Sequence, residues 1–61
     1  MNTPRLLKLT DVLKVTTLSK SSIYLYINSG KFPQPISLGA RGVAWIESEI
    51  NDWINERMES R

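Results

Sequence analysis

Ser19-Lys20-Ser21-Ser22-Ile23-Tyr24-Leu25-Tyr26-Ile27-Asn28-Ser29-Gly30 decides the fold, because it carries its own start and its own stop. The Ser19 hydroxyl can accept from an orphan backbone N–H two or three residues on, which makes it an N-cap. Leu18 before the cap and Ile23 four residues after it stand where a hydrophobic staple fixes the entry of the chain. Gly30 ends the helix, since glycine takes the left-handed conformation without a Cβ penalty. A helix over 19–29 follows.

Its two faces differ in chemistry. Ile23, Tyr26 and Ile27 share one side at helical spacing and point to a core. Lys20, Ser21, Tyr24, Leu25 and Asn28 fall on the other side or its flanks, with Ser22 at the boundary. That outer face holds a cation, hydroxyls and an amide but no carboxylate, which suits contact with a polyanion such as DNA. Serines near a helix start also serve as caps alone, so the composition by itself leaves both roles open.

Upstream, Thr10 is the expected N-cap of a first helix reaching about Val15, with Asp11 in its first turn where the helix dipole favours a negative charge. Leu9, Val12 and Leu13 give that helix an apolar stripe, and Thr16-Thr17-Leu18 is the connector. Helix, three-residue turn and helix make a helix-turn-helix. Arg5-Leu6-Leu7-Lys8-Leu9 suits a short extended segment packed on the domain.

Downstream, Pro33 and Pro35 exclude a continuing helix. Ile36-Ser37-Leu38 and Val43-Ala44-Trp45 alternate as strands do, and the turn Gly39-Ala40-Arg41-Gly42 joins them into a hairpin with a basic tip. Pro35 belongs at a strand end or an edge, because it has no N–H for a ladder. A last helix is expected from Glu47 to about Arg57, burying Ile46, Ile50, Trp53, Ile54 and Met58 as one stripe. The fold class is therefore α+β: a small winged helix-turn-helix of three helices with a two-stranded β-hairpin wing, one domain over 1–61 with its core at about 5–57.

Composition narrows the function. With no Cys and no His among 61 residues, disulfides, thiolate zinc sites and Cys or His catalysis are excluded. Glu49 and Asp52 sit on the solvated side of an acidic helix with no nucleophile beside them, so no enzyme and no cofactor is expected. No apolar run approaches the roughly 20 residues of a membrane span, and a cytoplasmic location suits the chain. The net charge of +2 is unevenly spread. Up to Arg41 six cations face Asp11 alone, a balance of +5, and from Gly42 onward two cations face five acids, a balance of −3. One end is thus suited to a polyanion and the other is not, although on charge alone lysines scattered on a surface for solubility are the better reading.

Four motifs then occur in order: Leu9-Thr10-Asp11-Val12 leading to Thr17-Leu18-Ser19-Lys20-Ser21-Ser22-Ile23-Tyr24, then Gly30-Lys31-Phe32-Pro33-Gln34-Pro35-Ile36, Leu38-Gly39-Ala40-Arg41-Gly42-Val43-Ala44-Trp45, and Glu47-Ser48-Glu49-Ile50-Asn51-Asp52-Trp53-Ile54. From Arg5 to Arg57 the chain resembles the AlpA family of prophage regulators. The resemblance implies a winged-helix DNA-binding domain related in fold to excisionases and MerR-type regulators, acting as a transcriptional regulator of a prophage or mobile element or as an excision directionality factor. The family's recognition block falls on Leu18 to Tyr24 and its basic wing tip on Arg41. Leu25 departs from the pattern, since relatives commonly carry a basic residue there. It either touches a thymine methyl in the major groove or packs against Leu38 or the turn.

The expected DNA-contacting set is Lys20, Ser21, Ser22, Tyr24, Leu25, Asn28, Lys31 and Arg41, with double-stranded DNA as partner and integrase or RNA polymerase as a possible protein partner. One module is expected to be a monomer or weak oligomer in solution and cooperative on DNA. The rival of another class is a protein-interaction adaptor docking through the acidic last helix.

Overall fold

A computed structural model describes residues 3–40 and 42–61 of the chain. In chain order the elements are β1 (Leu6–Leu7), α1 (Leu9–Thr16), α2 (Lys20–Asn28), β2 (Ile36–Ser37), β3 (Val43–Ile46) and α3 (Glu47–Glu59). The three strands form one antiparallel sheet in the order β1-β3-β2. The two-stranded hairpin expected from the sequence is β2 with β3, and the sheet gains a third strand on the other edge of β3. The extended segment at Arg5–Leu9 supplies the extra strand, with Leu6 opposite Ile46 and Leu7 opposite Trp45. On the other side of β3, Ile36 faces Ala44 and Ser37 faces Val43. Pro35 stands just before β2, an edge strand, where its missing N–H costs no ladder bond.

Each helix gives the core one fully buried side chain: Val12, Ile23 and Ile50. Leu7, Trp45 and Phe32 complete it, and Leu13, Leu18, Tyr26, Ile27 and Trp53 are among those that pack around them. Among the described residues this core of six side chains is small, in keeping with a chain of 61 residues. The irregular segment after α2 is held by two indoles. Trp53 Nε1 donates to the Lys31 carbonyl at 2.8 Å and Trp45 Nε1 to the Pro33 carbonyl at 3.1 Å. Trp45 is fully buried and Trp53 partly, and the polar atom of each ring stays satisfied.

Several boundaries differ from the sequence reading, among them three helix ends. The N-cap of α1 is Lys8 instead of Thr10, and the helix starts two residues earlier. Asp11 reaches back to accept from the Lys8 backbone N–H at 3.3 Å, so its carboxylate meets an orphan donor as well as the dipole. At the other end α1 includes Thr16, which moves the three-residue turn to Thr17-Leu18-Ser19. Helix α3 starts at Glu47 as expected but runs two residues beyond Arg57. Met58 is 50% exposed and so lies outside the buried stripe.

No loop separates β3 from α3. The first helical N–H, of Glu47, donates to the Arg5 carbonyl at 2.8 Å, so the segment leading into β1 takes over the work of a side-chain cap.

Candidate nucleic-acid interface

The geometry of the turn sets how α2 is presented. Thr17 takes a left-handed conformation, φ 59°, and its N–H closes α1 on the Leu13 carbonyl at 2.8 Å. Thr16 Oγ1 donates to the Val12 carbonyl at 2.7 Å and accepts from the Leu18 N–H at 3.3 Å, so one hydroxyl ties the end of α1 to the start of the turn. A β-branched residue such as Thr17 in the left-handed region costs about 1–2 kcal/mol. Leu18 then dips toward the core and Ser19 begins α2.

Both ends of α2 are fixed. Ser19 Oγ accepts from the Ser22 N–H at 3.2 Å and lies 3.1 Å from Ser22 Oγ, to which it donates. At the far end Gly30, φ 73°, donates to the Ile27 carbonyl at 3.1 Å while Lys31 N–H donates to the Tyr26 carbonyl at 2.8 Å. That pair is the Schellman closure a glycine permits. Ser29 adds a bond from its hydroxyl to the Leu25 carbonyl at 2.8 Å. A nine-residue helix is too short to persist alone, so these caps and the Ile23 stripe hold it.

On this frame Lys20, Ser21, Tyr24, Leu25 and Asn28 are exposed together on the outer face. Leu25 is 62% exposed and Leu38 58%, so Leu25 is not taken up by packing. Tyr24, at 36%, lies at the edge between core and solvent. Ser22 is half-buried and its hydroxyl is engaged by Ser19. The C-terminal cap belongs to Ser29 and Gly30, which frees the Asn28 amide for the outer face. Lys31 is exposed and follows directly, with its own N–H and carbonyl both bonded, so its side chain leaves from a fixed point. The first turn of α2 holds no acid, and the positive end of the helix dipole adds to Lys20 there. The wing is closed by the Leu38 N–H on the Gly42 carbonyl at 2.8 Å. Arg41, at its tip in the sequence, lies outside the described residues.

The basic half is not wholly free. Arg5 Nε stands 3.6 Å from a Glu47 carboxylate oxygen, so one of its cations is directed to the start of α3. The turn at Thr17 is the part of the interface that sequence reasoning missed, since glycine or asparagine would signal a left-handed residue and threonine does not.

The surface between Lys31 and α3 has another character. A groove of about 980 Å³ runs between the segment after α2 and the outer face of α3, with Glu49, Asp52 and Glu56 along it. Arg57 lies over the Trp53 ring at 4.8 Å from its centroid and 5.9 Å from that of Tyr26, which turns this cation inward. Among the described residues no group of three or more His, Cys, Asp or Glu could hold a metal ion, and no helix is long and apolar enough to cross a membrane.

Comparison with known proteins places this arrangement. The family model described as prophage CP4-57 regulatory protein (AlpA) matches residues 5–58. Uncharacterized protein ORF88 of Enterobacteria phage P4 is 40% identical over 57 residues, covering 93% of this chain and 65% of the phage protein, so the chain spans just under two thirds of that relative. The DNA-binding transcriptional activator AlpA of Escherichia coli K12 is 34% identical over 59 residues, covering 87% of this chain and 84% of the activator. The match takes in every strand and all of α1 and α2, ending one residue short of the last of α3. The chain belongs to the AlpA family of prophage regulatory proteins.

Proposed function

We propose that the protein is a sequence-specific DNA-binding transcriptional regulator of a prophage or mobile element, with α2 in the major groove and the wing tip on the backbone or in the minor groove. The outer face of α2 carries this proposal: a cation, hydroxyls, an amide and one apolar side chain with no carboxylate, on a helix capped at both ends. The Escherichia coli relative, a DNA-binding transcriptional activator by name, supports it.

In this arrangement the N-terminal end of α2 enters first, as in helix-turn-helix proteins. Lys20, Lys31 and Arg41 supply phosphate contacts, Arg41 from the wing, where a narrow minor groove attracts cations. Ser21 and Asn28 are placed for bases or backbone, and an Asn amide can pair with adenine. Tyr24 donates its hydroxyl to a phosphate, and Ser22, held by the cap, contributes at most to the backbone. No residue has a catalytic task.

A single module of this type buries about 600–1,000 Å² on DNA, so tight binding calls for repeated sites or a protein partner. RNA polymerase is the partner of a regulator and integrase that of an excision directionality factor, and both functions use the same DNA-facing surface. An adaptor docking through α3 is the reading favoured by the exposed Glu49, Asp52 and Glu56 along the groove.

Fluorescence anisotropy with random duplex, promoter-region duplex and attachment-site duplex, each at two salt concentrations, separates these. DNA binding through several Lys and Arg weakens steeply with salt, because condensed counterions are released. Preference for promoter or attachment DNA assigns regulation or excision. No binding to any duplex at low salt overturns the proposal in favour of the adaptor.

A further inference from the structure

Leu25 is the most exposed large apolar side chain among the described residues, at 62%. It stands in the middle of α2, not at a frayed end. Its helical neighbours at three and four residues are Ser21, Ser22, Asn28 and Ser29, so it is an apolar island among hydroxyls and an amide. Two of those hydroxyls are occupied internally, Ser22 by Ser19 and Ser29 by the Leu25 carbonyl. The isobutyl group is what projects. The core does not use it, because Ile23 and Ile27 fill that role on the opposite side.

A leucine gains nothing from a phosphate or from a base donor or acceptor. Within the major groove the bases offer one apolar substituent, the C5-methyl of thymine. We propose that Leu25 is a specificity-determining residue that reads a pyrimidine C5-methyl group, a proposal that rests on the seating of α2 in the major groove. Since the contact is purely apolar, it does not sense the O4 or N4 beside the methyl. Thymine and 5-methylcytosine are therefore equivalent to Leu25, whereas uracil and unmodified cytosine are not. Methylation of a cytosine under Leu25 thus strengthens binding.

The test starts from a duplex selected out of a random pool by the full chain. Each thymine is replaced in turn by deoxyuridine, which removes only the methyl. The thymine that responds is then replaced by cytosine and by 5-methylcytosine, each paired with guanine. All duplexes are titrated against the wild type and Leu25→Ala, a variant that keeps the buried core and puts a good helix former at an exposed position. Burial of one methyl group predicts about a fourfold loss at one thymine for the wild type. Leu25→Ala should bind the parent duplex about as much more weakly and be indifferent to that replacement. At the same position 5-methylcytosine should bind the wild type about fourfold better than cytosine, and the variant equally. If deoxyuridine is neutral at every thymine, or costs the variant as much as the wild type, the assignment is overturned while salt-sensitive binding leaves DNA recognition standing. If selection yields no duplex bound in a salt-sensitive way, DNA recognition falls and Leu25 reading with it.

Discussion

Helices α2 and α3 each place one isoleucine fully in the core, yet they show solvent opposite chemistries. Ile23 and Ile50 are equally buried. Outside, α2 presents Lys20, Ser21, Tyr24, Leu25 and Asn28, and α3 presents Glu49, Asp52, Glu56 and Glu59. Even its Arg57 is drawn back over Trp53 and Tyr26. The inner stripes answer to packing, while the outer faces are left to solvent and, on the proposed reading, to DNA at α2, so stability and recognition would occupy different atoms of the same helices.

Changes to the inner stripes should erase the contrast. Ile23→Ala and Ile50→Ala each remove a wholly buried side chain and should cost about 2–5 kcal/mol, comparable with the whole stability of a domain this small. Thermal melts by circular dichroism should show both variants largely unfolded. A well-folded Ile50→Ala beside an unfolded Ile23→Ala would show that only α2 is integral to the core.

Outer-face changes should separate the helices. Lys20→Ala with Arg41→Ala should leave the melt unchanged and lower duplex affinity about tenfold or more, with the salt slope shallower by about 2. Glu49→Gln with Glu56→Gln should leave duplex affinity within about threefold and stability within about 0.5 kcal/mol. Equal losses from both pairs, read by anisotropy, would end the division of labour between the helices.

Smaller effects sharpen the picture at the helix ends. Ser19→Ala removes the cap on α2 and should cost about 1 kcal/mol, with DNA affinity falling as the first turn frays. Arg57→Ala removes a cation from the face of Trp53 and should cost about 0.5–1 kcal/mol, with duplex binding intact. Denaturant titration reads the stability of both variants, and a Ser19→Ala melt matching the wild type would mean that Ser22 or water replaces the cap.

Helix α2 was the most legible element, because its stop and start are local chemistry: a serine that caps and a glycine that turns left. The hairpin and α3 were legible from periodicity and from two acids in a first turn. The start of α1 was not, since lysine is no capping residue by type and Lys8 takes that place only because Asp11 reaches back to it. The extended segment at Arg5–Leu9 was legible, but its place in the sheet as β1 was not, for another reason. Two leucines are too few to show an alternation, and their pairing depends on residues far along the chain. Thr17 carries no mark of its left-handed backbone. Of the candidate interface, the composition of the outer face could be read directly, while the fate of Leu25 between packing and projection required its exposure. Arg41 lies outside the described residues.

The pairing of Leu6 with Ile46 also orders events in time. Residues of α1, the turn and α2 are neighbours in the chain, so the helical pair forms from short-range contacts on the fast end of folding timescales. The β1–β3 ladder instead joins residues forty apart and carries the entropy of closing that loop. It should therefore assemble last and open first in the native ensemble. Because the Arg5 carbonyl holds the Glu47 N–H, each opening also releases the first turn of α3. Amide exchange should run faster at Leu7 and Glu47 than at Ile23, leaving the face of α2 ordered while the acidic helix loosens from its start.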